Sequence, residues 1–96
     1  MNDVIFDLNQ LEKMIENKYF KNDNKNAKGY CFYDVEKGDA TILLNVDIKK
    51  LFISIENDKV KITIQYFNNA EDRLNYTFKE FLNSKYFEIL EASLRK

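Results

Sequence analysis

Cys31 and a scatter of carboxylates are the residues of this 96-residue chain that could act on a bond. A nucleophilic thiol needs an adjacent base. The chain has no His, and Cys31 sits in a stretch that reads as a strand. A small buried hydrophobe is the expectation for it. Paired carboxylates could do acid–base work, and Asp34, Glu36 and Asp39 do cluster. They suggest a calcium loop at first glance. The pattern fails, because Gly38 is misplaced and Asn45 stands where the closing Glu belongs. These acids flank a turn and read as a solvated edge, and Glu71 and Asp72 likewise fall in a turn. With one Cys, no His and two Gly, the composition offers no disulfide, no zinc cage and no glycine-rich phosphate loop. No enzyme, no metal and no cofactor is expected.

Nucleic acid would need positive charge. There are 15 Lys and Arg against 16 Asp and Glu, a net charge of −1, where nucleic-acid binders carry a basic excess. Lys21, Lys25 and Lys28 share one segment, and Lys49 and Lys50 a turn. With nearby aromatics these lysines make nucleic acid the alternative partner. Only two Arg exist for bidentate phosphate contacts.

The elements that position these residues follow from pattern. Residues 6–11 and 76–81 share one helix-start grammar. Asp7 and Thr77 are the caps, Gln10 and Glu80 the third-position partners, and Phe6–Leu11 and Tyr76–Phe81 the staples. The first helix is expected over 8–20, with Leu8, Leu11, Ile15 and Tyr19 as its stripe and Met14 nearby. Residues 21–29 contain no apolar residue but Ala27 and read as a loop.

From Gly29 to Phe78 the period drops to two. Strands are expected over 30–36, 40–48, 51–56, 60–67 and, as a fifth, 73–77. Gly38 supplies a positive φ to the first turn and Asn57-Asp58 forms another. Ile42, Leu44, Val46 and Ile48 keep even phase, while Leu51, Ile53 and Ile55 keep odd phase. A turn or bulge must therefore interrupt the chain at Lys49-Lys50. On the first strand Tyr30 and Phe32 alternate with Cys31, Tyr33 and Val35, and either set could face inward. After Thr77 the last helix places Phe78, Leu82 and Ile89 on one face and Phe87 and Leu94 nearly opposite. It is buried on two sides, or breaks near Asn83-Ser84, or turns its second face to a partner.

The expected fold is α+β: an N-terminal helix, a four- to five-stranded antiparallel meander and a C-terminal helix, with the helices on one sheet face. The whole of 1–96 reads as a single domain. The opening Met-Asn-Asp-Val lacks a signal-peptide pattern, no apolar run approaches a membrane span, and the lone Cys fits a reducing compartment. A cytoplasmic location is expected. Twelve Asn, thirteen Lys and two Arg suggest an AT-rich gene of a bacterium, phage or plasmid.

The outer phase of the sheet is polar except for Leu43, Phe52 and Phe67. With Lys61, and with Phe87 and Leu94 on the last helix, they form the expected partner-binding set. The functional expectation is a non-enzymatic protein-binding module, a small inhibitor or regulator docking on a protein complex. Phage or mobile-element anti-defence proteins, anti-CRISPR-like or immunity-type, are the analogy, with no motif behind it. A homodimer through the outer sheet face or through edge-strand pairing is compatible with this reading.

Overall fold

The computed structural model describes residues 7–24, 27–38 and 47–95. Its order is α1 (Leu8–Lys18), β1 (Lys21–Asn24), β2 (Ala27–Asp34), a 3-10 turn (Val35–Lys37), β3 (Ile48–Glu56), β4 (Lys59–Tyr66), β5 (Glu71–Thr77), α2 (Phe78–Leu82) and α3 (Lys85–Leu94). The five strands form one antiparallel sheet in sequential order, β1-β2-β3-β4-β5. The fold is α+β, as the alternation of hydrophobic periods implies.

Asp7 caps α1 by accepting from the Gln10 N–H at 2.9 Å. Leu11 and Ile15 of the expected stripe are fully buried, and Leu8 and Tyr19 pack around them. The helix stops two residues short of Phe20, because Tyr19 is already extended at φ −120°. Residues 21–24, expected in a loop, instead form a strand that pairs residue by residue with the start of β2. An edge strand is held by backbone hydrogen bonds to one neighbour. It therefore needs no apolar face, and Lys-Asn-Asp-Asn carries no strand signature to read.

β2 ends at Asp34 rather than Glu36. The Asp34 carboxylate accepts from the Glu36 N–H at 2.9 Å, turning the chain into the 3-10 segment, and Gly38 follows at φ 93°. The inward set on β2 matches neither simple alternation. The register slips between Cys31 and Tyr33, so Tyr30 pairs with Ile53 and Tyr33 with Leu51. Phe32 is the extra residue of this bulge, and Phe32 and Tyr33 are both buried. Of the strand expected over 40–48, residues 40–46 (Ile42, Leu43, Leu44 and Val46 among them) lie outside the described residues. Ile48 belongs to β3, which runs on to Glu56 with a slip between Ile48 and Lys50. A bulge, not a turn, thus reconciles Ile48 with Leu51, Ile53 and Ile55. The β3–β4 turn is Asn57-Asp58, with φ of 51° and 62° at the two residues, as a two-residue hairpin turn demands.

The C-terminal segment breaks at Asn83-Ser84, one of the three alternatives its two apolar faces leave open. Thr77 opens α2 with a full capping box: the Glu80 N–H donates to the Thr77 hydroxyl at 3.2 Å, and the Thr77 N–H to Glu80 Oε1 at 2.9 Å. The staple is present too, with the Tyr76 and Phe81 rings 6.3 Å apart. Ser84 caps α3 by accepting from the Phe87 N–H at 3.3 Å. Thr77→Ala is expected to lower stability by about 1 kcal/mol, read from the denaturant midpoint with an unchanged m-value.

The helices cover one sheet face. Leu11 and Ile15 of α1, Phe81 of α2 and Leu90 of α3 share a cluster with Leu51, Ile53, Val60 and Ile62, all at most 1% exposed. Lys18 donates to the Ser93 carbonyl, and the Tyr19 and Ser93 hydroxyls hydrogen-bond, tying the end of α1 to the last turn of α3. Among the described residues no helix is long and apolar enough to cross a membrane.

Candidate interaction surface

The face turned away from the helices is built by cross-strand rows. Asp34, Lys50, Gln65 and Glu71 form one row; Cys31, Phe52, Thr63 and Arg73 form the next. Polar partners lace this face. Lys50 lies 3.8 Å from Asp34 and from Glu36, Lys49 lies 3.4 Å from Glu36, and Lys61 lies 3.1 Å from Glu56. Gln65 donates to Glu71 at 3.2 Å, and Arg73 approaches the same carboxylate at 3.5 Å.

Phe52, expected as an exposed docking residue, is only 4% exposed. It lies on the central strand, between Cys31 on β2 and Thr63 on β4. Asp34 and Thr63 of the same two rows are buried with it, at 7% and 8% exposed, so the middle of this face is dry. Phe67 differs: it follows the last residue of β4 and is 52% exposed. Its backbone is fixed nonetheless. The Phe67 N–H donates to the Asp47 carbonyl at 3.0 Å, and the turn behind it closes with Tyr66 N–H to the Ala70 carbonyl at 3.0 Å. Asn69 takes a left-handed φ of 70°, and Ala70 N–H donates to the Asn68 side chain at 2.9 Å.

Beside this turn lies a concavity of about 320 Å³ lined by Lys49, Gln65, Tyr66, Asn69, Ala70 and Glu71. Its lining is mostly polar, and Lys49, Gln65 and Glu71 already have protein partners. The Tyr66 hydroxyl donates to Asp72 at 2.7 Å. That hydrogen bond, with smaller help from desolvation, pushes the phenol up to about 12.

Phe87 and Leu94 are not an outward pair. The break at Ser84 rotates α3 relative to α2, so the Phe87 ring meets Phe81 edge-on at 5.7 Å and Leu94 packs against the core. Lys61 is exposed but ion-paired. Leu43 falls outside the described residues. Of the expected partner-binding set, Phe67 alone is an exposed aromatic. The sequence reading missed Phe20, which is 95% exposed just before β1. A signal was present, since position 20 falls off the Leu11–Ile15–Tyr19 stripe.

The expected nucleic-acid lysines are not gathered in a loop. Lys21 and Lys28 belong to two paired strands, and Lys25 lies outside the described residues. Lys49 and Lys50 spend their charge on Glu36 and Asp34. Cys31 donates its thiol hydrogen to the Tyr33 carbonyl at 3.4 Å. Burial, reinforced by Asp34, pushes that thiol up from its ordinary range, so it stays protonated and weakly nucleophilic at neutral pH. Among the described residues no group of three His, Cys, Asp or Glu side chains is placed to hold a metal ion. Comparison with family models, curated proteins and solved structures gives no match.

Proposed function

We propose that this chain is a non-enzymatic protein-binding module, a small inhibitor or regulator that docks on a larger protein or complex through the Phe67 turn. The observation that carries the reading is a half-exposed phenylalanine on a backbone fixed by hydrogen bonds from both sides. Rigid aromatic anchors of this kind supply much of the free energy at protein interfaces, since little conformational freedom remains to be lost on docking. The polar, ion-paired face around it suits an interface rim. A reducing, cytoplasmic setting and an anti-CRISPR-like or immunity-type role in a phage or mobile element belong to the same proposal. They rest on composition and on the missing catalytic residue types.

Affinity purification from the native host, with the retained partner identified by mass spectrometry, tests it. Phe67→Asp is expected to weaken retention about 30-fold or more while leaving the melting temperature within a few degrees of the parent. Undiminished retention by Phe67→Asp overturns this docking site. Retention on an oligonucleotide that falls steeply with salt, with no protein captured, favours the nucleic-acid alternative.

A further inference from the structure

We infer that the open edge of β5 is a self-pairing surface, and that two copies of this chain join there into one continuous sheet. The strand order places β5 at the end of the sheet, with no strand beyond it among the described residues. Asp72, Arg73, Asn75 and Thr77 are exposed, while Leu74 and Tyr76 are half-buried on the helix side.

The direction of the free backbone groups follows from the turn. Tyr66 N–H donates to the Ala70 carbonyl, and the pairing continues unslipped as Gln65–Glu71, Ile64–Asp72, Thr63–Arg73 and onward to Lys59–Thr77. Hydrogen-bonded and non-hydrogen-bonded pairs alternate in an antiparallel ladder. Asp72, Leu74 and Tyr76 therefore bond toward β4. Glu71, Arg73 and Asn75 turn their N–H and C=O groups to the open edge. Thr77 has the same parity, and its N–H is taken by Glu80 at 2.9 Å. The capping box thus marks where an added strand must stop.

The sequence of the edge then selects a copy of itself. An antiparallel dyad centred on Leu74 sets Leu74 against Leu74, Arg73 against Asn75, Asp72 against Tyr76 and Glu71 against Thr77. All seven residues pair, with no like charges opposed. Each Arg73–Asn75 pair exchanges two hydrogen bonds between outward-facing groups, and the dyad doubles them. The apolar pair sits at the axis, where its cross-strand contact adds to the helix-side core. Neighbouring registers of the same parity fail. Centring on Arg73 or Asp72 opposes like charges directly, and centring on Asn75 runs the strand into Phe78 of α2. The inference does not depend on Phe67, so Phe67→Asp leaves the self-association unchanged whatever becomes of the docking reading.

Sedimentation equilibrium on the full chain across a dilution series tests it, with two variants. The expected result is a monomer–dimer equilibrium that Asn75→Pro weakens about tenfold or more, by removing an outward N–H used twice in the dimer. Proline is tolerated on an edge strand, and circular dichroism checks that the fold remains. Independently, Leu74→Cys in a Cys31→Ser background is expected to form a reducible covalent dimer on mild oxidation, because dyad-related non-hydrogen-bonded pairs approach within disulfide range. A single monomeric mass up to millimolar concentration overturns the inference. So does a dimer that cross-links through Arg73→Cys but not through Leu74→Cys.

Discussion

Gly29→Ala is expected to cost about 3 kcal/mol or more, a large share of a small domain's stability. A Cβ built on Gly29 would lie 2.2 Å from the Ile53 carbonyl oxygen and 2.8 Å from its carbon. Neither atom belongs to a flexible side chain; both are backbone of the central strand. Gly29 also sits at φ 114°, a region that strains any residue bearing a side chain by about 1–3 kcal/mol. The two costs add, because relieving the contact means moving β2 away from β3. Urea unfolding of the purified variant measures the loss as a lower midpoint. A change below about 1 kcal/mol would mean that β2 can shift without loss of its pairing. Gly38 makes the contrast, since nothing lies within 4 Å of a Cβ there despite its φ of 93°.

Phe52→Asp is expected to be as damaging, for a different reason. The side chain is 4% exposed between Cys31 and Thr63, and Thr63 is itself 8% exposed. An aspartate there would lose the buried ring and either hold an unpaired charge in a dry site or take up a proton. The expected loss is about 4 kcal/mol. A collapsed melting transition at neutral pH, partly restored on acidification as the introduced carboxyl is neutralised, is the signature. The comparison with Phe67→Asp is the informative one: two phenylalanines in the same outward phase of the sequence, one structural and one available to a partner. A Phe52→Asp variant that melts with the parent would return Phe52 to the docking surface.

Much of the fold was legible because it is written in local chemistry. The caps at Asp7 and Thr77, the Tyr76–Phe81 staple, the Asn57-Asp58 turn and the phase change before Leu51 each depend on a few neighbouring residues. The break at Ser84 was one of three readings that the two apolar faces left open. β1 was not legible, because an edge strand of polar residues held by backbone pairing leaves no periodic apolar trace in the sequence. The bulge at Phe32 was not either, since both alternations along residues 30–35 were equally apolar. The proposed interaction surface was the least legible part. Alternation assigns a side chain to a face but cannot distinguish the middle of a face from its rim. Phe52 and Phe67 read alike for that reason. Phe87 and Leu94 were assigned to a partner although a break was among the open alternatives; with the break they pack against the core.

The pairing of Lys49 and Lys50 with Asp34 and Glu36 bears on how fast the proposed partner would be found. A chain of net charge −1 whose Lys49-Lys50 bulge and neighbouring Asp34 and Glu36 neutralise each other within about 4 Å projects little field beyond its own surface. Encounter then proceeds without steering, at the ordinary association rates of about 10⁵–10⁶ per molar per second. For such a protein, tight binding has to come from slow release.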